Sequence, residues 1–466
     1  MKGTTSIYYP PGPVHKLPLS LFLNFLRNPI EVLNDISKYG DISHFKFGTQ
    51  HVYFLNHPDY IRDVLVTYNN NFIKSRGLQL AKKVLGDGLL TSEGNIHRNQ
   101  RQLIQPAFHQ DRLKIYAAII TEYILRMSNS WKDNDVLDVH KEFMQLTLAI
   151  VCKALLGFDI ESQASEIAKY VTTLVEYFNR ARLPLAGVIE KLPLSSNRRF
   201  RYAKKQLESI IYRIIDNRQK THIANGTDLH THDNHDGDLI SILLASKEFG
   251  PVNETLPHSV SSLQLRDNVM TIFLAGHETV ANALTWTFYL LSQNNKEERK
   301  LHEEVDSVLG HDLFPTAANI LKLEYTEKVF TESMRLYPPA WAVGRQAIHD
   351  CKIGEYTIPA GSTILMSQYL MHRDKRFFLE PQRFNPDRWN NDTRTNLPRF
   401  SYFPFGGGPR ACIGEPFAWT EGIIAIATIA RRWIMKLESD HPIALKPLAT
   451  LRPKYGMRMK IIRRNA

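Results

Sequence analysis

The chain reads as a mainly helical protein with a minor β portion, and three observations carry that expectation. Apolar residues recur at helical spacing over long segments. The longest of these, Leu263 to Gln293, contains no proline and would span roughly 45 Å at about 1.5 Å rise per residue, the width of a domain. Alternating apolar runs are short and gather near 42–56, 342–367 and 443–462, as expected of small peripheral sheets. With 466 residues the chain is long enough for one large core or for two or three domains.

Taken in order, Leu19 to Leu26 suits a short helix. Asn28-Pro29 then opens a second, Ile30 to Tyr39, with Gly40 as its stop. Phe45 and Phe47 alternate with polar residues, and His51 to Leu55 follows Gly48-Thr49, which predicts an antiparallel hairpin. Helical spacing resumes from Pro58 to Tyr68, whereas Asn69 to Leu90 mixes its signals and reads as a partly irregular loop. Further helices are expected over His97 to Phe108, Leu113 to Met127, Phe143 to Leu156, Glu166 to Asn179, Arg198 to Gln219 and Leu323 to Leu336. Two strands follow, Trp341 to His349 and Tyr356 to Leu365.

The balance of 58 Lys and Arg against 47 Asp and Glu gives +11, a basic surface. No Lys/Arg tract is interleaved with exposed aromatics, so nucleic acid is not the expected partner. Steering toward an acidic protein or an anionic membrane surface fits the charge, as does a merely solvated basic face. The 3 cysteines, Cys152, Cys351 and Cys412, are far apart; this argues for a reducing compartment and against a disulfide framework. Met1 to Tyr9 lacks the apolar run of a signal peptide or membrane span. Pro10-Pro11-Gly12-Pro13 fixes a stiff extended entry. His222 to Asp238 mixes four histidines with four aspartates in a Gly/Asn/Thr-rich stretch, compatible with a metal site or with an exposed mobile loop.

Chemistry concentrates at Phe405-Gly406-Gly407-Gly408-Pro409-Arg410-Ala411-Cys412-Ile413-Gly414. A cysteine in a tight loop before a helix N-terminus is favoured as thiolate by the helix dipole and nearby N–H groups, making it a candidate axial ligand or nucleophile. The glycines permit close approach to a flat partner, and Arg410 offers a planar fork suited to a carboxylate. In the long helix, Ala275-Gly276-His277-Glu278-Thr279 places a glycine where it costs about 1 kcal/mol against alanine. Thr279 can return its hydroxyl to the carbonyl of residue 275 and loosen the helix.

Phe405, Gly408, Arg410, Cys412 and Gly414 resemble the haem-binding loop of the cytochrome P450 family, the haem-thiolate monooxygenases. The similarity extends through Ala275-Gly276-x-Glu278-Thr279, Glu332-x-x-Arg335, and Pro381-Gln382-Arg383-Phe384, and so covers nearly the whole chain. It implies one domain over 1–466, with the long helix over a noncovalent haem b and Cys412 as the iron ligand. It also implies Phe405 and Gly414 as part of the haem loop and Ala275 and Gly276 close to the haem. His97, Arg101, Arg345 and Arg410 would hold its carboxylates, His97 standing where the family usually has Trp or His. Glu278 and Thr279 become the catalytic acid–alcohol pair that handles protons for dioxygen. Glu332, Arg335 and Arg383 become a buried structural triad.

By the same resemblance Val171 to Val188 is a lid, and Leu80, Val84, Leu183, Phe273 and Leu451 line an apolar pocket. The implied reaction is insertion of one atom of dioxygen into a C–H bond of a fatty acid, alkane or terpenoid. Electrons would come from NAD(P)H through a ferredoxin or flavodoxin and its reductase. A cytoplasmic monomer is expected, with peripheral membrane contact left open. Two other readings stand beside it: a haem-thiolate isomerase or dehydratase, which would turn over anaerobically without reductant, and a non-catalytic haem sensor or binding protein, which would form no product.

Overall fold

The computed structural model describes residues 8–13, 18–180, 190–224, 238–249, 261–312 and 314–464. Its packing separates two compact units, each assembled from several chain segments. One comprises Met1–Gln79, Met334–Phe384 and Arg388–Cys412; the other comprises Leu80–Ser333, Asn385–Asp387 and Ile413–Ala466.

The first unit is built on a five-stranded sheet in the order Ile42–Phe47, Gln50–Leu55, Thr363–Met366, Val343–Ala347, Phe72–Lys74. The hairpin expected at 45–55 forms, with Phe47 opposite Gln50 and Gly48 at φ 60°. Gln50–Leu55 and Thr363–Met366 run parallel, while the other neighbours are antiparallel. Alternation puts Tyr53, Leu55, Ile364 and Met366 into one core with Ile61, Val64, Phe400 and Phe403. Burying each such side chain contributes about 1.5–3 kcal/mol. The proline segment lies against this sheet: the His44 N–H donates to the Pro11 carbonyl at 3.0 Å. A Cβ at Gly12 would stand 1.7 Å from the His44 carbonyl oxygen, so only glycine permits that approach.

The second unit is helical around Ser262–Gln293. That helix has 32 residues and opens with a capping box formed by Ser261 and Gln264, which satisfies two of its orphan N–H groups. It is buried from Leu265 to Leu291 on most of its circumference, as expected of a helix apolar on nearly all sides. Val139–Leu156 packs beside it, with the Phe143 and Phe288 rings stacked at 5.6 Å. Gly276 permits that closeness, since a Cβ there would meet Val151 Cγ2 at 3.0 Å. Gly94–Ile104, Gln110–Asn129, Ala164–Arg180, Ser195–Ala224 and Glu415–Arg432 add further helices. Two small antiparallel sheets complete the unit: Val136–Asp138 with Arg458–Arg463 and Trp433–Leu437, and Leu445–Pro447 with Leu451–Pro453.

Residues 181–188 of the expected lid, and the histidine-rich stretch from 225 to 237, lie outside the described residues. Asp238, at the edge of that stretch, is engaged by Arg218 at 2.8 Å and by Ser241. Among the described residues no cluster of His, Cys, Asp or Glu could hold a metal ion, and no helix is long and apolar enough to cross a membrane.

Candidate active site

The cysteine loop is held open by its own backbone. Gly406 and Gly408 sit at φ 73° and 66°, in the region that favours glycine. A Cβ at Gly408 would stand 1.9 Å from the Leu65 carbonyl oxygen, and one at Gly407 2.2 Å from the Phe400 ring. The Cys412 N–H donates to the Phe405 carbonyl at 2.9 Å, closing the loop, and Gly414 caps the helix Glu415–Arg432. Cys412 is exposed, two positions before that cap in the chain. Burial pushes the Cys152 thiol up and likewise raises Cys351, so neither suits a thiolate role.

His372 secures the approach to this loop. It is fully buried, and its Nε2 accepts the Phe403 N–H at 2.9 Å. Burial, then Arg335 and Arg373, hold it well below the ordinary imidazole range, so it stays neutral with Nε2 as acceptor. Its carbonyl in turn accepts from Arg335 Nη1 at 2.8 Å. Arg335, also fully buried, donates further to the carbonyls of Pro381 at 2.7 Å and Arg383 at 3.1 Å. The place of His372 between two partners distant in sequence is not visible in local pattern.

The buried triad needs a correction. Glu332 and Arg335 are both at 0% exposure, and Glu332 Oε1 accepts the Asn385 N–H at 3.0 Å. The Arg383 side chain, however, is 59% exposed and pairs with Glu380 at 3.0 Å; only its carbonyl reaches Arg335. The half-buried arginine here is Arg388, which donates to the Leu379 carbonyl at 2.5 Å and the Glu380 carbonyl at 3.3 Å. Its signal was present in Pro386-Asp387-Arg388-Trp389, a second tetrad with the same Pro-x-Arg-aromatic form.

In the first unit Arg345 is 8% exposed on Val343–Ala347, directly opposite Lys74, itself 7% exposed. Opposed residues of an antiparallel pair project to one side of the sheet, so Lys74 joins Arg345 and half-buried Arg410 as a cationic candidate that the sequence reading missed. An exposed thiol at a glycine cradle, with a separate set of cations, is the donor set a haem with two carboxylates requires, and the residues present fit that group. In the second unit His97, 7% exposed, and half-buried Arg101 lie one turn apart on Gly94–Ile104.

On the long helix Ala275 is exposed, and Leu274, Gly276 and Thr279 are half-buried, against buried residues on either side. Thr279 Oγ1 donates to the Ala275 carbonyl at 3.1 Å. Glu278 turns elsewhere: it accepts from Arg452 Nε at 2.6 Å and from the Thr450 hydroxyl, with 4% of its side chain exposed. Burial pushes this carboxyl up, but Arg452 and Thr450 outweigh it and hold it below the ordinary carboxylate value. Burial also lowers His277 to about 4, so it is neutral, with Nδ1 against the Phe273 carbonyl at 3.0 Å.

The residues expected to line the pocket differ in their burial. Val84, Phe273 and Leu451 are at 0% exposure and pack wholly against protein, which is core rather than pocket surface. Leu80 keeps part of its surface, and Leu183 lies outside the described residues.

The fold and the thiol loop define a haem-thiolate protein, and comparison with known proteins agrees. The Cytochrome P450 family model matches residues 10–461. Cyclooctatin synthase of Streptomyces melanosporofaciens is 37% identical over 91% of this chain and 89% of its own length. Pentalenene oxygenase of Streptomyces avermitilis is 30% identical over 94% of each. The structure of a retinoic acid-bound cyanobacterial CYP120A1 superposes with TM-score 0.84 over 99% of this chain and 100% of that one, at 23% identity, which shows a shared fold. The chain belongs to the cytochrome P450 family and is a haem-thiolate monooxygenase.

Proposed function

We propose that this enzyme oxygenates a cyclic terpenoid, with Cys412 as the iron ligand. The similarity to cyclooctatin synthase, pentalenene oxygenase and cyclooctat-9-en-7-ol 5-monooxygenase carries the choice of terpenoid over fatty acid or alkane. Exposure of Cys412 at a helix N-terminus, unlike the other cysteines, supports its role as ligand. Haem b with thiolate ligation supplies reductive cleavage of dioxygen, one atom entering a C–H bond of the substrate and the other leaving as water.

The chain's own residues bind, position and protonate. Arg345 and Arg410, with Lys74 beside them, carry charge suited to the haem carboxylates; His97 and Arg101 are assigned the same task. Thr279 spends its own proton on the Ala275 carbonyl, so its oxygen is free to accept from a water. Glu278, ionised beside Arg452, is the group that takes up and releases protons for that water. Electrons come from NAD(P)H through an acidic ferredoxin or flavodoxin and its reductase, which the basic balance favours kinetically.

The test is a spectral binding screen of cyclic terpenes against fatty acids and alkanes, followed by product analysis with a surrogate ferredoxin system. A terpene that shifts the haem spectrum and gains one oxygen supports the proposal. Turnover of fatty acids alone would refute the substrate class, and product formed anaerobically without reductant would favour the isomerase reading.

A further inference from the structure

Beyond the ion pair, Glu278 is the end of a longer line of hydrogen bonds. Thr450 Oγ1 donates to Glu278 Oε1, Asn282 Nδ2 donates to Thr450 Oγ1 at 3.0 Å, and His140 Nε2 lies 3.1 Å from Asn282 Oδ1. Asn282 is fully buried one turn beyond Glu278 on the same helix, whereas His140 is only half-buried. The chain thus runs from a partly open imidazole to a buried carboxylate.

Each link constrains the next. An ionised carboxylate can only accept, so Thr450 must donate its single proton to it. The Thr450 oxygen then receives from the Asn282 amide, leaving the amide oxygen to accept from His140, which must carry its proton on Nε2. If Glu278 instead holds a proton and donates it to Thr450, every bond reverses: the amide turns over and His140 Nε2 becomes an acceptor. The two directions are two discrete states of one line, and the amide passes on a direction but not a proton.

We propose that His140 is a positioning residue for proton delivery, fixing through Asn282 and Thr450 the direction of the hydrogen bond that Glu278 receives. This rests on the reading of Glu278 as the proton-handling acid. The surrounding charges agree: burial and Arg452 lower His140 against the opposing pull of Asp138, Asn282 and Glu278, so it is neutral near pH 7 and donates from Nε2 while Glu278 is ionised. Glu278 faces Arg452, Thr450 and His277. His140 is thereby linked to the proportion of Glu278 that is ionised, although it does not touch the carboxylate.

The test follows the carboxyl C=O infrared band of Glu278 in the haem-loaded enzyme, assigned by its loss in Glu278→Gln, as pH is varied. His140→Met, which removes the donor, should move the titration midpoint up by about one pH unit, about tenfold in the ratio of the two forms. His140→Gln, which can still donate from an amide N–H, should leave it in place. Thr450→Val, which removes the last link, should move it in the same direction and serves if His140→Met does not fold. The pH profile of product formed per NAD(P)H consumed should shift with the band. An unchanged midpoint in His140→Met, or in Thr450→Val where it stands in, overturns the proposal. Unchanged product and peroxide yields in Glu278→Gln would overturn the proton-handling reading instead, while the band shift would still report on the line.

Discussion

Burial alone would push the Glu278 carboxyl up, yet Arg452 and Thr450 hold it below its ordinary 4.5. A carboxylate lowered in the folded state adds stability above its unfolded pKa and loses that contribution as pH falls through the lowered folded value. Replacing the cation reverses the sign, because an unpaired buried carboxylate is raised. Arg452→Met should therefore cost about 3–5 kcal/mol near pH 7, and the deficit should narrow as pH is lowered toward 4.5. Urea unfolding at both pH values checks this; an equal deficit at each would mean that Arg452 acts through packing alone. Arg335 and Arg383 make a second contrast. Arg335→Met strands three carbonyls and should cost about 3 kcal/mol, whereas Arg383→Ala, at an exposed pair, should stay within about 0.5 kcal/mol. A large loss in Arg383→Ala would restore it to the buried triad.

At the level of elements, the cysteine loop depends on Gly408 more than on any contact it makes. Adding a Cβ 1.9 Å from the Leu65 carbonyl at φ 66° combines a backbone clash with a strained conformation. Gly408→Ala should abolish stable haem loading while far-ultraviolet circular dichroism stays near wild type; full haem content would show that the loop can relax. Helices such as Val139–Leu156 and Ser262–Gln293 were legible because apolar period and caps are local. The choice between Arg383 and Arg388 was not, since two tetrads of the same form differ only in which side chain the tertiary fold takes inward. The same limit explains Val84, Phe273 and Leu451: apolarity marks them as buried but does not say whether protein or ligand covers them.

Over the whole molecule, ordered motifs showed more than composition could. The loop around Cys412 and the Ala275–Thr279 run indicated the family, and the chain's match from residue 10 to 461 bears that out. The links of Glu278 to Arg452 and His140 to Asn282 were hidden, because they join segments 174 and 142 residues apart. Net charge of +11 predicts that reduction by an acidic ferredoxin slows as ionic strength rises past the point where the Debye length is about 10 Å. Stopped-flow reduction over a salt series checks this, and a salt-independent rate would remove steering from the account.

The most direct measurement is the carbon monoxide difference spectrum of the reduced, haem-loaded protein beside Cys412→Ser. The account predicts the red-shifted band of thiolate ligation in the unaltered protein and its loss, with loss of oxygenation, in the variant. A normal thiolate band and turnover in Cys412→Ser would contradict it.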